Sequence, residues 1–268
     1  MDWTAARERL RSPPFAPLSS LLARLDASRW PTRDELTALA ADVVTSRGMA
    51  VRFVPPREHT DRERRYYELH IAATGEVETR SDNWHDLFNA LVWIAFPRAK
   101  AAINAQHAAI LEERGEAEAR QRSPERDALT VFDEGGVAVA SSDPQVFRHI
   151  VDFEWKELFW RRRRDLEARA RFVAFGHALQ EQCLEPYLGM VAKTVFLAVG
   201  EPFFRLAVAE QVAEVDALLA AHFADRARFR SPKMMAPMPV LGVPGWHPDT
   251  VREDFYDDAS QFRGKRPR

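Results

Sequence analysis

The sequence contains a single cysteine, Cys183, among 268 residues. One thiol permits no disulfide within the chain and no cysteine-rich zinc site. Glycine is also sparse, at 11 residues, and no glycine-rich phosphate loop is present; Gly242 and Gly245 stand among prolines. No G-x-S-x-G elbow occurs, which argues against a standard serine hydrolase. Neither sign of charge dominates. The formal net charge is −2, so nothing global favours nucleic acid or an anionic membrane. Long apolar runs are missing. The longest, Ala90–Phe96, falls far short of the roughly 20 residues that a membrane-spanning helix needs. The first ten residues, MDWTAARERL, hold no apolar core for a signal peptide. These absences lead us to expect a soluble protein without a membrane span, in a bacterial cytoplasm.

What is present suits a packed globule. Apolar residues make up 46% of the chain and charged residues 29%, enough for a core and a solvated surface. The pattern predicts an α+β single domain with a small mixed or antiparallel sheet, surrounding helices and an extended proline-rich C-terminal arm. We divide the chain into an N-terminal leader (1–31), an α+β core (32–230) and an arm packed on that core (231–268). In the leader, Leu18, Leu21, Leu22 and Leu25 have helical spacing. Thr32 and Glu35 form a capping box for a helix over about 33–46. Residues 49–54 read as a strand. Tyr67, Leu69 and Ile71 alternate before Thr74-Gly75, predicting a hairpin over 66–80. Asp82 or Asn83 caps a helix that runs to Phe96, and Pro97 opens the next one. A second hairpin is predicted over 129–140, turning at Glu134-Gly135-Gly136. Asp143 caps a further helix. A strand over 171–175 leads through Gly176 into a helix over 177–184. Another strand covers 194–199 and a long helix covers 206–223. Prolines 232, 237, 239, 244 and 248 forbid regular structure in the tail. Met235, Met238, Leu241 and Trp246 predict that it packs on the body, because a solvated Trp would expose a large apolar area.

The stretch Ser81–His107 organises the candidate chemistry. It is the most apolar helical pattern, yet it carries His85, Asp86, Asn89, Asn104 and His107. Burying one such group without a partner costs roughly 1–3 kcal/mol. His85 and Asn89 share a helix face, as do Asn104 and His107. A fold at Pro97 would bring the four together, with Glu68 and His70 of the first hairpin facing them. Histidine, asparagine and acid on a hairpin followed by a helix are similar to the metal sites of His-Asn-His nucleases, although no paired histidine ends a strand here. A hydrogen-bonded core explains the same residues.

A second constellation is FGHALQE, residues 175–181. His177 and Glu181 lie one helical turn apart, a spacing that holds a metal or pairs a base with an orienting carboxylate. There is one histidine where H-E-x-x-H has two, and an ordinary i,i+4 pair is the structural alternative. Asp133-Glu134-Gly135-Gly136 offers metal ligands or simply an acidic turn. Arg161–Arg164 follows Trp155, Phe159 and Trp160, so basic and aromatic groups adjoin. Cations at a helix end explain that run equally well.

These readings give a candidate catalytic set of His85, Asp86, Asn89, His177 and Glu181. His177 and Glu181 are candidate ligands for a divalent metal. Glu68, Asn104, His107, Arg162 and Arg163 are candidate substrate contacts. The leading function is a metal-dependent or acid–base hydrolase-like enzyme acting on a small, phosphate-containing substrate. The alternative is a non-catalytic module that binds nucleic acid or protein through an Arg/Trp surface, nucleic acid being the less favoured partner. The two differ in one geometric expectation: an enzyme brings His85 and His177 into a shared pocket with an acid.

Three segments together resemble one family: NWHDLFNALVW-x-x-FP-x-x-KAAIN-x-x-H at 83–107, FGHAL-x-E at 175–181, and PMPVLGVPGW…FYDD…FR at 237–263. They are similar to the bacterial domain-of-unknown-function family 3025, over about residues 30–263. That family has no established activity, so the resemblance implies no reaction and no site residues.

Overall fold

The structure is a computed structural model and describes residues 1–265, apart from the side chain of Arg62. The N-terminal segment belongs to the core. In α1 (Trp3–Ala6) the Asp2 carboxylate accepts from the Ala5 N–H at 2.8 Å. Trp3 stacks on Trp84 with ring centroids 5.6 Å apart. Phe15 and Leu18 are fully buried ahead of α2 (Ser19–Leu22). The Thr32–Glu35 capping box starts α3 (Arg33–Leu39), which stops earlier than its sequence pattern suggests. Strand β1 (Arg52–Val54) follows.

The first predicted hairpin is helical. Thr60 and Glu63 form a capping box for α4 (Asp61–Arg65). Next comes α5 (Tyr67–Thr74), closed by Gly75 at φ 72°, whose N–H bonds the Ile71 carbonyl. Three alternating apolar residues are too few to separate a period of 2 from one of 3.6. The burial of the adjacent pair Ile71 and Ala72 belongs to a helix. Strand β2 (Glu76–Glu78) then pairs with β1 in parallel. A parallel pair requires a crossover rather than a tight turn, and α4 and α5 supply it.

Asn83 caps α6 (Trp84–Ala95), its side chain accepting from the Asp86 N–H at 3.0 Å. Pro97 opens α7 (Pro97–Arg120), which is interrupted at Gly115. In the second predicted hairpin the return strand over 137–140 is present, but 129–133 is helical. Ser123 caps α8 (Pro124–Gly135), with Pro124 at its first position and Ala128, Leu129 and Phe132 on its buried face. The helix runs directly into β3 (Gly136–Ser141). Then come α9 (Pro144–Asp152), capped by Asp143, a π-helical turn at Glu157–Arg161, and α10 (Arg163–Arg169). Strand β4 (Ala170–Ala174) precedes α11 (His177–Gln182), and β5 (Val191–Ala198) precedes α12 (Val208–Ala224).

The main sheet is mixed, in the order β4-β3-β5-β6, where β6 is Ala236–Pro239. β3 pairs with β5 in parallel, while β4 and β6 run antiparallel to their neighbours. Every residue of β3 is buried, as a central strand covered on both faces requires. Val137 and Val139 face one core with Phe88, Leu158 and Trp246. Ala138 and Ala140 face the other, with Ile103, Phe132 and Phe223. The proline-rich tail is therefore not simply extended. It contributes a strand and several 3₁₀ turns, and it buries Met238 and Trp246. Residues 266–268 of the expected arm lie outside the described residues. Among the described residues no helix is long and apolar enough to cross a membrane.

Candidate functional site

Three helix ends converge at one point. His85 is the second residue of α6, Glu134 lies in the last turn of α8, and His177 is the first residue of α11. Glycine permits the approach. Gly176 lies so close to the end of α8 that a Cβ there would stand 2.5 Å from the Glu134 carbonyl oxygen and 2.5 Å from the Gly136 nitrogen. The Gly136 carbonyl accepts from the N–H groups of Phe175 and Gly176 at 3.0 and 2.9 Å. The two Gly-containing segments thus lock backbone to backbone, which sets Glu134 beside His177.

The three side chains meet through defined atoms. His177 Nε2 lies 3.2 Å from His85 Nε2 and 3.4 Å from Glu134 Oε2, and His85 Nε2 lies 4.0 Å from the same oxygen. Carboxylates stand behind both rings. His85 Nδ1 lies 3.2 Å from Glu181 Oε2, so its N–H donates there. His177 Nδ1 faces Asp133 Oδ2 at 3.7 Å and makes no hydrogen bond. A proton on His85 Nδ1 leaves its Nε2 with a lone pair. The 3.2 Å contact between the two Nε2 atoms is met either by a proton on His177 Nε2 or by a cation that both atoms ligate. For separations of 3.2, 3.4 and 4.0 Å, the circumscribed circle places a shared centre about 2.1 Å from each atom, within the roughly 2.0–2.2 Å of zinc bonds to N and O.

A buried network supports the acidic side. Lys100 Nζ donates to both Asp133 oxygens, at 2.6 and 2.8 Å, and to Asn89 Oδ1 at 2.9 Å, and it stands 5.3 Å from the centre of the Trp93 ring. Burial opposes the Asp133 charge, but Lys100 and His177 prevail and hold its carboxyl below the usual range. Glu134 is pushed up, first by burial and then by the neighbouring Asp133 charge. His177 is pushed down to about 4, chiefly by burial. It is therefore a neutral ring at pH 7, the form that ligates metal.

The predicted residues divide into groups. His85, His177 and Glu181 come together. Asn89 joins through Lys100. Asp86 turns instead to Arg80, accepting from its backbone N–H at 2.7 Å and its Nε at 2.8 Å. Glu68, Asn104 and His107 lie apart from the centre: Asn104 Nδ2 donates to the half-buried Glu68 Oε2 at 2.8 Å, and the buried His107 Nδ1 accepts from Arg126 Nε at 3.2 Å. Arg162 and Arg163 point elsewhere. Arg162 bonds Asp143 Oδ2 at 2.6 Å and meets His149. Arg163 donates to the Thr250 carbonyl and the Tyr256 hydroxyl, pinning the tail. Glu134, Asp133 and Lys100 are absent from the sequence-derived set. The one signal for the acids is the Asp-Glu-Gly-Gly run, which reads equally as metal ligands or as an acidic turn, and which is in fact the end of α8.

Among the described residues, His85, Glu134 and His177 are the group of three whose donor atoms lie close enough to hold a metal ion. No curated protein and no solved structure matches the chain. The sequence motifs that carry His85 and His177 fall within a family match spanning residues 51–266, and the chain belongs to that family, the proteins of unknown function designated DUF3025.

Proposed function

We propose that the protein is a divalent-metal-dependent hydrolase whose metal is held by His85, His177 and Glu134. The convergence of two imidazole nitrogens and a carboxylate oxygen, 3.2–4.0 Å from one another, carries this reading. Two imidazoles and a carboxylate leave a coordination position for water, as in catalytic zinc sites. When bound, such a metal supplies a water of lowered pKa and a Lewis acid. The chain's own groups orient the ligands. Glu181 fixes the tautomer and rotation of the His85 ring, and Asp133, braced by Lys100, faces His177. Carboxylates behind ligating histidines are the usual supporting arrangement.

Two histidines and a carboxylate also serve iron oxygenases. Hydrolysis suits this site better. The side chains of His85, Glu134 and Glu181 are 34%, 43% and 42% exposed, so water, the co-substrate of hydrolysis, reaches the centre. The Arg/Trp binding surface has less support, because Arg162 and Arg163 spend their donors inside the molecule. Elemental analysis of protein purified without chelator tests the proposal. It should find one zinc or similar ion per chain, lost in His177→Ala while the circular-dichroism spectrum is kept. Protein that retains no metal and takes up none on titration with zinc, manganese or cobalt would overturn it.

A further inference from the structure

A second polar feature adjoins this centre. A groove of about 440 Å³ is lined by Arg64, Arg65, Arg120, Arg122 and Arg126, with Glu68 as the one acidic lining residue. Arg126 is buried and held in place. Its Nε donates to His107 Nδ1 and its Nη1 to the Glu118 carbonyl, both at 3.2 Å. No hydrogen bond to its Nη2 occurs among the described residues. Arg122 is exposed and makes no hydrogen bond or ion pair among those residues. The Glu68 carboxylate is already engaged by Asn104. Arg64, Arg120 and Arg126 pair with Asp61, Glu116 and Glu118, while Arg65 and Arg122 have no ion pair among the described residues; the groove thus offers two unpaired guanidinium groups beside the fixed Arg126, donors that match phosphate oxygens. Arg126 is pushed down first by burial, against the attraction of the Glu118 carboxylate, and then by the Arg122 charge.

The groove and the metal centre are joined by one face of α7. Lys100, Asn104 and His107 are all buried and follow one another at helical spacing. Lys100 binds Asp133 beside His177, and His107 binds Arg126. Seven residues of helix span about 10 Å.

We propose that the arginine groove is a phosphate-binding subsite, gripping the anionic end of a small organic phosphate or pyrophosphate. The bond to be hydrolysed would sit at the His/Glu centre, toward the Lys100 end of the same face of α7. This second half rests on the hydrolase reading; the subsite itself does not. The phosphate is a handle rather than the reacting group, and binding energy at such a remote part of a substrate can be used at the reacting centre.

Calorimetric titration of the metal-free, full-length protein with inorganic pyrophosphate at low ionic strength tests the subsite. Wild type should bind at one site, more weakly as salt rises. Arg122→Glu, an exposed and unpaired position, should fold normally and bind at least tenfold more weakly. His177→Ala should bind as wild type does, which separates the groove from the metal. Pyrophosphate binding without any metal uptake would keep the subsite and discard the hydrolase. No binding by wild type, or equal binding by Arg122→Glu, would overturn the subsite whatever the metal result.

Discussion

Replacing Glu134 with Gln should have opposite consequences with and without metal. In the metal-free protein, burial and Asp133 disfavour the Glu134 carboxylate. A neutral amide of the same shape removes that repulsion, so the melting temperature should hold or rise. With metal, the same change removes one of three ligand atoms that surround a common centre. A ligand at 100 times its Kd stabilises the native state by about 2.7 kcal/mol. For a chain of this size that corresponds to a rise of roughly 5–10 °C in Tm. Losing supporting partners of a metal ligand already costs about 10–100-fold in affinity, and losing the ligand itself should cost at least the upper figure. At the same free metal concentration, a 100-fold loss leaves only about 0.4 kcal/mol of stabilisation. The assay is differential scanning fluorimetry of both proteins, with chelator and with buffered zinc. Wild type should show the shift and Glu134→Gln should lose it without falling in chelator. A variant that melts lower in chelator yet keeps the full zinc shift would refute the reasoning, since Glu134 would then be a structural acid.

Three further outcomes follow from the same contacts. Lys100→Met leaves Asp133 nearly buried and unpaired, which should cost roughly 3 kcal/mol in urea unfolding; Asp133→Asn added to it should recover much of that loss, and a single-variant cost below about 1 kcal/mol would contradict the network. Gly176→Ala would drive a methyl against backbone atoms of Glu134, Gly135 and Gly136 at 2.5–2.6 Å, costing about 1–3 kcal/mol and parting His177 from Glu134, so zinc affinity measured by competition should fall as well. The pH response is fixed in sign: His177 is pushed down to about 4, so the unfolded chain binds the extra proton first. Stability is then present above about 6.5 and drains away toward pH 4, by about 3 kcal/mol. His222 is also pushed down to about 4, so the diagnostic is the difference between wild type and His177→Gln, whose curve should be flatter over that range.

Much of this protein is decided within short stretches of chain. The Thr32–Glu35 box, Pro97 at the head of α7 and the Asp143 cap are contacts within one helical turn, so sequence alone places them. The apolar surface of α6 forces it inward, and with it His85 and Asn89. The i,i+4 pair His177 and Glu181 marks one helix face. Burial of Trp246 follows from its size and its setting. Other features depend on which surface meets which. Short apolar runs at 66–71 and 129–133 suit either period, and packing of Ile71, Ala72, Leu129 and Phe132 against the core made them helices. Arg162 and Arg163 read as an open basic patch until Asp143 and Thr250 arrive from distant segments. The cluster of His85, Glu134 and His177 has the same character. Its three residues come from three helices, and their meeting depends on Gly176 lying against the backbone of Gly135 and Gly136. Close approach of two glycine-bearing segments leaves no periodic trace in the sequence, because it is made by side chains that are absent. That Glu134 meets the two histidines, and that Lys100 holds Asp133 ionised, was decided by the tertiary structure.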